Sequence, residues 1–170
     1  MNKAPLIGLA ALLIPLSAAA ADPVRYRASL RGNNEVPSIS TQASGSFHSY
    51  VAGDGLHYQL TYSNLEGGSV AQAHIHLGQP HTNGGIMVWL CSNLPSPPTP
   101  AGVQACPESP GRVTGVITAM DVVGPAGQGV SPEEFDALMA ALGNGTAYAN
   151  VHTATFGSGE IRGLISRFVP

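Results

Sequence analysis

Glycine, proline, asparagine and serine cut this chain every few residues, and the runs left between the cuts are too short for anything but strands. Val24–Leu30 alternates, with Tyr26, Ala28 and Leu30 on one face and Arg25, Arg27 and Ser29 on the other. LHYQLTYS, after the turn Gly53-Asp54-Gly55, alternates in the same way. Further short runs span Val70–Leu77, Gly85–Leu90, Arg112–Thr118, Thr146–Thr153 and Glu160–Phe168. Seven or so such strands with turns between them predict an all-β fold, an antiparallel β-sandwich or barrel. One helix is expected: Ser131-Pro132-Glu133-Glu134 reads as a capping box with proline at the first helical position. Phe135, Leu138, Met139 and Leu142 then recur at helical spacing, and Gly143 or Gly145 ends the segment.

The first 21 residues have a different character. Lys3 provides a positive start, Leu6–Leu16 an apolar stretch and Ser17–Ala21 a run of small residues, the pattern of a signal peptide cleaved before Asp22. The apolar stretch is shorter than the roughly 20 residues a membrane span needs. The expected organisation is a signal peptide at 1–21 and one domain at 22–170, located in a periplasm or secreted, with no membrane insertion after cleavage. Residues 22–170 carry six arginines and ten carboxylates, a formal charge of −4. So few and so slightly acidic charges exclude a nucleic-acid binder that works by neutralising phosphates. The two cysteines, Cys91 and Cys106, both fall in the expected exported part. There a disulfide is the default state, closing a loop rich in proline and serine.

The chemistry-bearing residues concentrate in three segments. In AQAHIHLG, His74 and His76 are two apart and project from one face of a strand, while Ala73, Ile75 and Leu77 turn to the core. Adjacent imidazoles on a rigid strand begin a metal site, and nitrogen ligands suit copper and zinc. In YANVHT, Tyr148, Asn150 and His152 share a face, so His152 supplies a third ligand if this strand neighbours the first. Asn150 is then placed to hold a ring N–H. His81, in the loop QPHTNGG, is a possible extra ligand. His48 and His57 sit on strands of their own without a close partner in sequence. The competing reading makes the histidines part of a structural hydrogen-bond network.

The third segment is GSGEIRG. Glu160 and Arg162 share a strand face and form either an ion-pair lattice or, for Arg162, a clamp on a loop through bidentate bonds. Glu35, in NNEVP, is a further candidate partner for this arginine. Beside a metal, Arg162 would instead guide an anion and act as a catalytic residue. No G-x-S-x-G elbow and no phosphate-cradling glycine loop is present.

Taken in order, SLRGNNEVP, AHIHLG with the following NGG, GVITAMDVVGPAGQG, YANVHT and FGSGEIRG resemble the CHRD (chordin-type) domain family from about Tyr26 to Ile165. The resemblance implies an immunoglobulin-like or dismutase-like sandwich. It marks His74, His76, Asn150, His152, Thr153, Glu160 and Arg162 as signature positions, whereas His81 departs from the pattern. The H-x-H strand and the late GEIRG turn are also loosely similar to copper-zinc superoxide dismutases, although their zinc-loop histidines have no counterpart here. Two functions follow as expectations. One is an exported copper (or zinc) protein with dismutase-like redox activity, taking superoxide or another small oxidant or anion as partner. The other is a non-enzymatic extracellular interaction module with structural histidines.

Overall fold

A computed structural model describes residues 22–169, so the expected signal peptide lies outside the described residues. Nine antiparallel strands account for most of the regular structure: β1 (Arg25–Arg31), β2 (Ser44–Ala52), β3 (Gly55–Ser63), β4 (Val70–Leu77), β5 (Gly85–Ser92), β6 (Gly111–Ile117), β7 (Ala147–Thr153), β8 (Ile161–Leu164) and β9 (Ser166–Phe168). Their hydrogen-bonded order is β5-β4-β7-β8-β1-β2-β3-β6, with β9 on β1. The β8–β1 contact is a single pair, Arg31 with Arg162. That corner divides the ribbon into two facing layers, β5-β4-β7-β8 and β9-β1-β2-β3-β6.

Period-two alternation fills the space between the layers. Leu30, Phe47, Leu56 and Leu60 from one layer meet Ile75, Met87, Leu90, Val151 and Ile161 from the other, all buried. On the open side Tyr58, on β3, donates a hydrogen bond to the Leu90 carbonyl on β5 (3.0 Å). The chain changes layer at Ile165, which is fully buried and whose N–H still bonds the Ala147 carbonyl (2.8 Å) before β9 joins β1. The single run expected over Glu160–Phe168 is therefore two strands.

Two local expectations change. β2 was absent from the strand runs, apart from the placing of His48 on a strand, because serine and glycine mask its alternation. Cross-strand hydroxyl contacts, such as Ser46 to Thr61 at 2.8 Å, accompany its pairing with β3. The helix α1 spans Phe135–Asn144, three residues later than the capping box implied. Glu134 does accept the Ser131 N–H (2.8 Å), but Glu133 takes φ +66°, so 131–134 forms a turn instead of a first helical turn. Leu138, Ala141 and Leu142 are buried, and Gly145 (φ +68°) ends the helix.

Cys91 and Cys106 form the expected disulfide (Cα–Cα 5.0 Å). Asn93 orders the loop as well: its side chain bonds the Val70 and Cys106 carbonyls and the Cys106 N–H. Chain entropy makes closing a loop of this length worth about 3 kcal/mol. Replacing both cysteines by alanine should therefore lower the stability read from urea unfolding by roughly 3 kcal/mol, with the circular dichroism of the native sheet retained.

Candidate metal centre

The register of β4 against β7 builds the site. His74 lies opposite Asn150, His76 opposite Tyr148 and Gln72 opposite His152. Because side chains of one parity share a face, His74, His76, Tyr148, Asn150 and His152 all stand on the outer side of this layer, away from Ala73, Ile75, Ala149 and Val151. The same row continues outward in both directions, from His74 to Trp89 on β5 and from Asn150 to Arg162 on β8.

This outer face is not solvated. His74, His76, Asn150, His152 and Arg162 are each at most 7% exposed. One ligand atom from each of His74, His76 and His152 lies within 4.8 Å of the others. His74 Nδ1 and His152 Nε2 are 3.2 Å apart. That is a hydrogen-bond distance, so in the metal-free protein one of these two nitrogens carries the proton and the other the lone pair.

Backbone carbonyls fix the rings. His76 Nδ1–H donates to the Gly84 carbonyl (2.9 Å), and His152 Nδ1 lies 3.0 Å from the Gly157 carbonyl. The first bond fixes the His76 tautomer, with its lone pair on Nε2, whereas the proton of His152 has an oxygen acceptor at either ring nitrogen. His152 Nε2 also lies 3.1 Å from Asn150 Oδ1. The Nε2 atoms of His74 and His76 are buried without any hydrogen-bond partner, a costly arrangement unless something else occupies those lone pairs. Packing completes the frame. His76 stacks on Tyr148 (4.8 Å, 3°), and Trp89 meets His74 edge-on (4.3 Å, 88°).

Burial, reinforced by the mutual proximity of the rings, holds His74 down to about 2. His152 is held down to about 4, chiefly by burial and despite its bond to Gly157. His76 is lowered by the same burial. All three are therefore neutral near pH 7, the form that ligates a metal.

The other expected site residues divide between two clusters. Arg162 does clamp a loop: its Nε donates to Glu35 Oε2 (2.8 Å), Nη1 to the Thr82 carbonyl (2.8 Å) and Nη2 to Asn83 Oδ1 (2.6 Å). The guanidinium also lies over the Tyr148 ring at 4.6 Å. Burial raises the Glu35 carboxyl above its ordinary value, partly offset by Arg162. The 2.8 Å bond to a permanently charged guanidinium is nevertheless the contact of an ionised carboxylate. Glu160 does not pair with Arg162. It is fully buried, and its two oxygens accept bonds from the Thr41 and Thr153 hydroxyls (2.9 and 2.8 Å) and the N–H groups of Glu66 and Gly67 (2.7 and 3.1 Å). Thr153 and Glu160 thus tie down the loop at 66–67.

His81 is exposed in the turn after β4 (φ +65°) and stands outside the cluster. It borders a cavity of about 220 Å³ shared with Asn34, Tyr148 and Arg162. His57 bonds Asp54 (2.7 Å), and both His48 and His57 belong to the other layer. Trp89 and the Gly84 and Gly157 carbonyls were not singled out in the sequence. Only the strand register brings Trp89 to His74, and the carbonyls belong to loops whose course the sequence does not display.

The family model of the CHRD domain matches residues 26–165. The chain belongs to this family. No curated protein and no solved structure matches it. The histidine trio, Glu35, Asn150, Thr153, Glu160 and Arg162 all lie inside the matched CHRD segment.

The depressed histidines give the metal-free CHRD protein an acid-sensitive stability. Below about pH 6.5 the unfolded chain takes up protons that the folded chain refuses, so stability is full above that pH and falls as the pH drops. Each histidine contributes up to about 1.4 kcal/mol per pH unit, His152 ceasing near pH 4 and His74 near pH 2. Glu35, being raised, acts in the opposite sense. Urea midpoints of metal-free protein at pH 7, 5.5 and 4.5 should fall steadily, and a His74→Asn/His152→Asn variant should flatten the slope. Separately, Arg162→Leu leaves Glu35 as an uncompensated buried charge and should cost about 3–5 kcal/mol in the same assay at pH 7.

Proposed function

We propose that this CHRD protein is an exported metal-binding protein that holds copper, in preference to zinc, through His74, His76 and His152. The observation that carries the reading is the pair of buried imidazole Nε2 atoms without hydrogen-bond partners, within a cluster of three neutral rings. Three imidazoles with no thiolate among them are a nitrogen donor set, for which copper stands highest among the divalent ions. Structural zinc sites normally close with four protein ligands, and His81 is not placed to be the fourth. The disulfide agrees with an oxidising compartment.

Bound copper would supply one-electron redox chemistry, and superoxide-dismutase-like activity is the reaction class that fits. The burial of the trio limits the reactant to something very small. Arg162 lies in one row with Asn150 and His74, and its charge is matched by the Glu35 carboxylate beside it. Its bonds to Glu35, Thr82 and Asn83 make it a positioning residue, holding Tyr148 against the His76 ring and the 82–84 loop over it. Gly84 in turn fixes His76 through its carbonyl and donates its N–H to the Tyr148 hydroxyl (3.2 Å).

Metal titration tests this directly. At a free copper concentration 100 times Kd, binding to the folded state alone adds about 2.7 kcal/mol. That corresponds to a Tm rise of roughly 5–10 °C for a domain of this size. Trp89 is the only tryptophan and touches His74, so Cu(II) should quench its fluorescence at one equivalent while Zn(II) leaves it bright. A His74→Ala/His152→Ala variant should lose both responses. Equal copper content and equal quenching in the two proteins would refute the site. Superoxide consumption that is no faster with the copper-loaded wild type than with this variant would refute the redox role alone.

A further inference from the structure

The layer facing away from the histidines carries a segregated charge. Strands β1, β2, β3, β6 and β9 contain no aspartate or glutamate, yet they hold five of the six arginines of residues 22–170. Alternation puts Arg25, Arg27 and Arg31 on the outer side of β1, opposite the buried Tyr26, Ala28 and Leu30. Arg112 joins them from β6, in the row Ser29–Ser46–Thr61–Arg112. Among the described residues none of these four arginines forms an ion pair with a carboxylate. Two are held in place by aromatic rings instead: Arg25 lies 5.9 Å over Tyr50 and Arg27 5.1 Å over Phe168.

The spaces between the cations are filled by neutral hydrogen-bonding groups. Ser29, Ser44, Ser46, Thr61, Ser63, Gln59 and Thr114 alternate with His48 and His57 across the same face. A shallow depression of about 530 Å³ runs over Arg25, His48, Tyr50, His57, Gln59, Thr114 and Phe168. Residues two apart on a strand are about 6.6–6.8 Å apart, so Arg25, Arg27 and Arg31 form a strip roughly 20 Å long.

We propose that this outer face binds an anionic polysaccharide, a linear glycan bearing carboxylates. Cations spaced along a strand, with hydroxyl and amide groups between them and an exposed tyrosine at one end, match a chain that alternates carboxylates with sugar hydroxyls. A nucleic acid is a poorer match. Its charge is far denser, one per about 1.7 Å of duplex axis, and the chain as a whole is acidic, so repulsion from the rest of the molecule opposes it.

The probe is polygalacturonate, with neutral dextran and oligo(dT) as comparators, in affinity electrophoresis and calorimetry at 20 mM salt. The wild type should bind polygalacturonate and not dextran, and 0.5 M NaCl should abolish the binding. Arg27→Gln/Arg31→Gln/Arg112→Gln should weaken it about tenfold, as exposed charge pairs of modest individual strength are lost. The His74→Ala/His152→Ala variant should bind the glycan as the wild type does, which separates this site from the metal centre. Should the triple variant prove unstable, Arg112→Gln alone and the salt titration carry the test, since Arg112 touches neither aromatic ring. No binding of polygalacturonate, binding insensitive to salt and to these substitutions, or tighter binding of oligo(dT) would each overturn the proposal.

Discussion

The pairing of β4 with β7 is the constraint from which the rest of the candidate site follows. One register sets His74 against Asn150 and His76 against Tyr148, leaving His152 diagonal to His74. A slip of one residue in β4 would turn His74 and His76 into the hydrophobic core and expel Ala73 and Ile75, and the same slip in β7 would bury His152 and expel Ala149 and Val151. The apolar residues on the inner face therefore hold the polar ones in place on the outer face. Burying Ala73, Ile75, Ala149 and Val151 is what makes the histidine cluster reproducible.

A sheet face rich in polar groups is normally wet. Here it is roofed by the turns around 79–84 and 154–160 and by the segment leading to Glu35, and most of its buried polar atoms have a partner. Arg162 takes Glu35, Thr82 and Asn83, Glu160 takes four donors, and two histidines take carbonyls. The roof is close. A Cβ on Gly159, which already needs φ +121°, would strike Glu35 Oε1 and Asn150 Nδ2, and one on Gly84 would run into the Leu77 carbonyl. The Nε2 atoms of His74 and His76 lack a partner, and so does Glu35 Oε1.

Much of this was legible in the sequence. The spacing of His74 and His76 and the shared face of Tyr148, Asn150 and His152 needed only the two-residue period of a strand. The cysteines and the Glu35–Arg162 partnership were also readable. What the sequence withheld depends on register and loop course. Trp89 reaches His74 only because β5 pairs with β4, and Glu160 parts from Arg162 because the chain before β8 turns toward the 66–67 loop. β2 hid behind serine and glycine, whose small side chains carry no apolar signature until strand pairing aligns their hydroxyls. The start of α1 shifted because the expected Ser131–Glu134 bond is compatible with a tight turn as well as with a helix.

The chain crosses between layers at Ile165, joining the strand that bears Arg162 to the one that lies beside β1. The histidine cluster and the arginine strip thus lie on the outer sides of the two facing layers. Such a molecule is an electrostatic arrow: an overall acidic particle with four of the six arginines of residues 22–170 on one outer face. Near a negatively charged matrix it would settle with that face down, pointing the roofed imidazoles toward the open fluid, where diffusing solutes arrive.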